Sequence, residues 1–170
     1  MKIARICGSD AAALNSTENN FTSCEVMDVS LVDGEFQLEV RSVEPFSKSY
    51  DADESIDDDT EAFGACLDGA LVGKIELAAS WNGLASIEHI VVARSHRKHG
   101  VATALIDFAK EWAASKGLKG IRLETQTNNV PACKLYLRNG FKVGGLDRFV
   151  YRTQPHVAHE TALYMYWLPE

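Results

Sequence analysis

Residues 84–126 restrict the fold more than any other segment, because they run as strand, turn, helix and strand without a break. Residues 84–93 and 121–126 are apolar or alternating runs of strand length. Between them Val101, Leu105, Phe108 and Trp112 fall at steps of four, three and four, seconded by Ala102, Ile106, Ala109 and Ala113. That is the period of an amphipathic helix, and Gly117 follows as its C′ residue. A helix that joins two strands of one sheet makes them parallel and the crossover right-handed.

Further strands are expected near residues 2–6, 36–43, 63–67, 71–79, 141–143 and 162–168. Asp68-Gly69 and Asn82-Gly83 supply residues that tolerate positive φ, so the central runs should form antiparallel hairpins. A second helix should open at Asn129 to Pro131, where a capping side chain precedes a residue of helical φ, and stop at Asn139-Gly140. A weaker helical pattern covers residues 10–20. No repeat or linker interrupts the chain, so the expectation is one domain, 1–170, of the α/β class. Its sheet should be mixed and mostly antiparallel, with one parallel pair and flanking helices.

A chain of 170 residues buries roughly 70% of its unfolded surface and needs no staples. Cys7, Cys24, Cys66 and Cys133 form no C-x-x-C pair, and they read as reduced, mostly buried small hydrophobes. Apolar stretches break before the ~18 to 20 residues that a bilayer needs. A cytoplasmic protein without membrane spans is expected. The net charge is −7, yet residues 51–61 alone hold seven acids and no base; elsewhere 17 basic side chains meet 17 acidic ones. That balance disfavours nucleic acid as a partner and favours a cationic one. A plain solvated loop is the alternative reading of the acidic run. A homodimer is compatible with the sequence but not required by it.

One loop reverses the prevailing sign. Arg94-Ser95-His96-Arg97-Lys98-His99 carries three full positive charges directly before Gly100 and the helix at Val101. A helix start leaves backbone N–H groups without partners and adds about half a positive charge, so it receives anions. Gly100 lacks the β-carbon that would hold a phosphate off, while Arg97 and Lys98 can neutralise its oxygens. The same residues would also suit an ordinary exposed turn. Neither a triphosphate P-loop nor a dinucleotide G-x-G-x-x-G is present. His96-x-x-His99 lacks the neighbouring carboxylates or thiolates that a metal pair needs, so no metal is expected.

Arg97, Gly100 and Ala102 fill the fixed positions of [QR]-x-x-G-x-[GA], and Asn129, Ala132, Tyr136, Gly140 and Phe141 fill N-x-x-A-x-x-x-Y-x-x-x-G-F. Together they resemble the GCN5-related N-acetyltransferases. Residues 81–92 and 120–136 resemble the streptothricin-acetylating branch of that family, whose members acetylate an amine on the β-lysine arm of a polycationic antibiotic. The resemblance implies an acyl-CoA N-acyltransferase fold with a splayed parallel pair, acetyl-CoA as co-substrate, and a small cationic amine such as streptothricin as acceptor. It also implies that Arg97, Lys98, His99, Gly100, Val101 and Ala102 hold the diphosphate, with Asn129 as a further cofactor contact. A helix cap explains Asn129 equally well.

Amide formation from a thioester needs a neutral amine, whereas a lysine-like ammonium has a pKa near 10.4. Glu88 is the candidate base: strand alternation puts it on a face with Ser86, Ile90 and Val92, where a carboxylate needs a partner or a purpose. Glu76, Glu124 or a water could serve instead, and an ion pair with Arg122 is the structural alternative. The backbone of Ile90, Val91 and Val92 can meet the thioester arm and its developing oxyanion. Tyr136 matches the tyrosine that protonates the leaving sulfur in relatives; a core tyrosine at helical spacing is its other reading. The same chemistry on a polyamine, an aminoglycoside or a protein lysine, and a non-catalytic acyl-CoA-binding module, remain as alternatives.

Overall fold

The computed structural model describes residues 1–6, 14, 20–49 and 59–169. The helical pattern at 10–20 and most of the acidic run at 51–61 lie outside the described residues. The elements are β1 (Lys2–Arg5), β2 (Asn20–Val32), β3 (Glu35–Ser49), β4 (Glu61–Leu67), β5 (Ala70–Ala79), β6 (Ala85–Val92), a 3₁₀ turn (Arg94–His96), α1 (Val101–Ser115), β7 (Ile121–Gln126), α2 (Val130–Arg138), β8 (Lys142–Asp147) and β9 (Ala162–Trp167). Seven strands follow the order β1-β4-β5-β6-β7-β9-β8, and β2 with β3 makes a separate two-stranded ribbon. The expected mixed α/β class, mostly antiparallel, is what the chain adopts.

The chain divides into two compact units, Met1–Asn20 with Ser49–Arg122 and Leu168–Glu170, and Phe21–Lys48 with Leu123–Trp167. In the first unit, β1, β4, β5 and β6 pair antiparallel in turn. Asp68 at φ 50 and Gly69 at φ 83 form the two-residue hairpin turn whose twist matches the flanking strands. The bonds Lys119 N to Gly83 O and Ala85 N to Gly120 O, each 2.9 Å, start β6 and β7 side by side in the same direction. Helix α1 buries Val101, Leu105, Ile106, Ala109, Trp112 and Ala113, nearly the stripe expected. It ends in a Schellman motif, with Leu118 N on Ala113 O, Gly117 N on Ala114 O, and Gly117 at φ 72.

Gly73 seats that helix. A β-carbon there would meet Val101 Cγ1 at 2.9 Å, Leu105 Cδ1 at 3.2 Å and the Val91 carbonyl at 3.2 Å. The first turn of α1 thus rests directly on β5 beside the end of β6.

In the second unit, Met27, Val130, Cys133 and Leu163 form a buried cluster, with Val29, Leu38, Leu137 and Val143 packed against it. Strand β2 was not foreseen, and β3 continues past Pro45 to Ser49, beyond the expected limit at 43. Of the described cysteines, which are unbridged, Cys133 is buried, Cys66 half-buried and Cys24 exposed, so the expectation of mostly buried thiols holds for one of three.

Candidate active site

The basic loop lies in the first unit and is shaped by its own side chains. After the 3₁₀ turn, Arg97 returns to extended backbone, Lys98 turns into the left-handed region at φ 65, and Gly100 does the same at φ 83. Arg97 locks the bend: Nε donates to Val92 O and Nη1 to Asn20 O, each at 3.0 Å. Arg94 Nη2 also donates to Asn20, at its side-chain oxygen. Two N–H directions of Arg97, expected on phosphate oxygens, are thus given to main-chain carbonyls, and Arg94, Lys98 and His99 are the exposed basic groups of the loop, Arg94 being engaged with Asn20.

The helix start itself is open. The first intrahelical bond is Ala104 N to Gly100 O at 3.0 Å, so the N–H groups of Val101, Ala102 and Thr103 precede the ladder. Among the described residues no side chain caps them, and the first turn holds no acid. A β-carbon on Gly100 would meet nothing within 4 Å of the protein, so what demands glycine within the chain is its positive φ. Three N–H groups, an aligned helix dipole and neighbouring cations suit a phosphate or diphosphate ester.

Strand β6 leads into this loop. The pairing steps from Glu76 opposite His89 to Leu77 opposite Ile87, which leaves Glu88 as the extra residue of a β-bulge. The bulge overturns the expected setting of Glu88. Strict alternation breaks, the carboxylate is exposed instead of sitting on an apolar stripe, and among the described residues no ion pair joins it to Arg122. Ile90, Val91 and Val92 follow opposite Ile75, Lys74 and Gly73, with Val91 and Val92 buried.

Sequence reasoning passed over one pair here. Lys74 is 1% exposed and donates to Glu76 Oε1 at 2.5 Å, with Glu76 13% exposed. Residues two apart on a strand share a face, and a lone Lys-x-Glu inside the apolar run of β5 was the available signal.

The second unit holds Asn129 and Tyr136. Asn129 Oδ1 accepts from Ala132 N at 3.3 Å, capping α2 two residues ahead of Pro131, as the helix-start reading requires. Tyr136 is 6% exposed, with its ring 5.8 Å from that of Phe141. The spacing Tyr136, Gly140, Phe141 has a local cause: Phe141 N bonds Tyr136 O, Gly140 N bonds Leu137 O, and Gly140 sits at φ 86. This is a second Schellman stop, with the hydrophobic contact that accompanies such stops.

A polar chain also missed by sequence reasoning runs through this unit. Glu160 pairs with Lys48, whose Nζ donates to Gln126 Oε1 at 3.4 Å. Gln126 Nε2 donates to Tyr151 Oη at 2.8 Å, and Tyr151 Oη donates to Glu124. Burial, and then the Glu124 and Glu160 carboxylates, hold the Tyr151 phenol well above its ordinary range, so it remains a donor at physiological pH. Tyr151 lies in an unpatterned loop, so no local signal could have found it.

The family model for acetyltransferases of the GNAT family matches residues 29–141, a span that contains both motifs. The chain belongs to the GNAT acetyltransferase family. As an N-acetyltransferase it resembles named members along nearly its whole length. It is 56% identical over 167 residues to the streptothricin acetyltransferase of Escherichia coli, covering 98% of this chain and 95% of that protein. The crystal structure of a Bacillus anthracis protein described as a streptothricin acetyltransferase, in complex with acetyl coenzyme A, superposes with a TM-score of 0.87 at 33% identity, covering 99% of both chains. A nourseothricin acetyltransferase superposes with a TM-score of 0.85 at 33% identity, covering 98% of this chain and 97% of that one. Among the described residues no helix is long and apolar enough to cross a membrane, and no group of three or more potential metal ligands occurs.

Proposed function

We propose that this GNAT enzyme transfers the acetyl group of acetyl-CoA to an amine of a streptothricin-type antibiotic and so confers resistance to it. The observation that carries the donor half is the uncapped, acid-free start of α1 inside a basic loop. The acceptor half rests on the near full-length likeness to the Escherichia coli enzyme. Acetyl-CoA supplies the activated thioester carbon. The N–H groups of Val101, Ala102 and Thr103 receive its diphosphate, with Lys98 and His99 at the rim, Gly100 giving the turn and Arg97 holding its shape. The backbone of Ile90, Val91 and Val92 meets the thioester arm, and Asn129 makes a further contact beyond its cap.

In the reaction the amine nitrogen bonds the acyl carbon as the carbon–sulfur bond breaks, so one proton must leave nitrogen and one must reach sulfur. Glu88, re-aimed by its bulge and exposed, takes the first directly or through water; Tyr136 gives the second. The acidic run at 51–61 gathers a polycationic acceptor by long-range attraction that salt weakens. The chain works as one catalytic domain, since both motifs fall within one family match that spans the two units. The described cysteines are unbridged, which accords with a cytoplasmic setting.

The test is thiol release from acetyl-CoA with streptothricin as acceptor, together with the mass of the antibiotic. A gain of one acetyl group on the β-lysine arm is expected. Tight binding of acetyl-CoA with no thiol release from any amine in a panel would sink the enzymatic reading and leave a binding module.

A further inference from the structure

We propose that Glu124, held by Tyr151, is the carboxylate that receives an ammonium group of the acceptor, with Tyr151 acting as a positioning residue; this rests on the reading of the enzyme as an amine acetyltransferase. The inference comes from how charge is distributed along the polar chain. At its buried end Lys48 and Glu160, with side chains 10% and 5% exposed, cancel one another. Gln126 and Tyr151 are uncharged. The whole assembly therefore carries one net negative charge, at its exposed end on Glu124.

That charge is not neutralised by the protein. Among the described residues no cation pairs with Glu124, whose described partner is the hydroxyl of Tyr151. An exposed carboxylate with no other duty ordinarily samples many rotamers. Here one oxygen is tied through Tyr151 and Gln126 to a buried ion pair, so the ordering that a ligand would otherwise have to impose is already in place. A neutral hydroxyl donor does this without cancelling the charge, which an arginine or lysine partner would do. The remaining oxygen suits the N–H donors of an alkylammonium.

Location agrees with this role. Glu124 and Gln126 share one face at the carboxyl end of β7, the second strand of the crossover, and ligands of parallel strands gather at such ends. The carbonyl of Gln126 also accepts from Asn129 N at 2.9 Å, which fixes the chain to the turn that opens α2.

The experiment is steady-state kinetics with streptothricin for the wild type, Glu124→Gln and Tyr151→Phe, with acetyl-CoA affinity measured by calorimetry and folding by melting temperature. Glu124→Gln should raise KM for streptothricin about tenfold or more, with kcat within about twofold and acetyl-CoA affinity unchanged. Its KM should also rise less with added salt than that of the wild type. Tyr151→Phe, which keeps the ring and the carboxylate, should raise KM by about threefold to tenfold, and Glu124→Asp should fall between wild type and Glu124→Gln. Wild-type turnover with unaltered KM in Glu124→Gln, or a fall in kcat at constant KM, would overturn the assignment. No turnover by the wild type would defeat the underlying enzymatic reading instead.

Discussion

The pair Lys74 and Glu76 gives the sharpest test of the packing of the first unit. Lys74 is enclosed in β5 between β4 and β6, with 1% of its side chain exposed, and Glu76 beside it is 13% exposed. Replacing Lys74 by Met keeps the length of the side chain but leaves a poorly solvated carboxylate with no counter-charge. Breaking one side of a buried ion pair costs about 3–5 kcal/mol, which for a domain of this length lowers Tm by roughly 6–20 °C. The pair as a whole was expensive to bury, so Lys74→Met with Glu76→Leu should recover most of that loss or exceed the wild type. Urea unfolding at pH 7.5 reads both effects. A deficit below about 1 kcal/mol, or a double variant no more stable than the single one, would refute this account of the buried pair.

Other outcomes follow from single residues. Gly100→Ala forces a left-handed residue to carry a β-carbon at φ 83, a cost of about 1–2 kcal/mol, and should weaken acetyl-CoA binding in calorimetry by about tenfold; undiminished affinity and stability would show that the turn is not needed in this form. Tyr136→Phe keeps the ring contact with Phe141, so melting should be unchanged while kcat falls at least about a hundredfold, and an unaltered kcat would remove the tyrosine from proton transfer. Burial pushes the Cys133 thiol up to about 12. It should therefore resist thiol reagents at pH 8 until the chain unfolds, whereas exposed Cys24 reacts at once, as peptide mapping would show. Because that thiol keeps its proton when folded but loses it when unfolded, its contribution to stability should decline as pH rises from about 9 towards 12. Gly144→Ala would drive a β-carbon to 2.5 Å from the Tyr166 ring and should lower Tm by several degrees; no change would mean that the ring has room to move.

Local signals located most of the fold. The expected limits of β7 at 121 and 126 match those observed, because its alternation is regular and a glycine lies directly before it. The helix α1 was equally plain from its stripe. Strand β2 escaped although Asp33-Gly34, with φ values of 52 and 84, forms the same turn as Asp68-Gly69. Much of the ribbon is exposed, so its sequence carries no clean alternation. Strand β3 runs on through Pro45 because a proline is tolerated in a two-stranded ribbon where no neighbour needs its N–H. Strand β8 runs past 143 to Asp147 because the chain makes a register shift against β9 at Gly144 and passes under Tyr166.

Within the site, the phosphate-type loop was legible because its charge reversal and its glycine are contiguous. The exposure of Glu88 was not, because a bulge is a property of two paired strands and leaves no trace in the periodicity of one. The chain from Glu160 to Glu124 was hidden for another reason. Lys48 and Glu160 stand 112 residues apart, and Tyr151 meets Glu124 across 27.

The missing methyl at position 73 reaches further than packing. It sets how far Val101 and Leu105 sink toward the strand, and hence the height at which the amide hydrogens of the helix's first turn are presented. Alanine and then serine there would act as graded shims, lifting that platform from underneath by fractions of an ångström. With the diphosphate placed at this helix start as proposed, donor affinity should therefore drift with the residue at position 73 in β5 beneath it, and variants weakened for coenzyme A need not map to the basic loop.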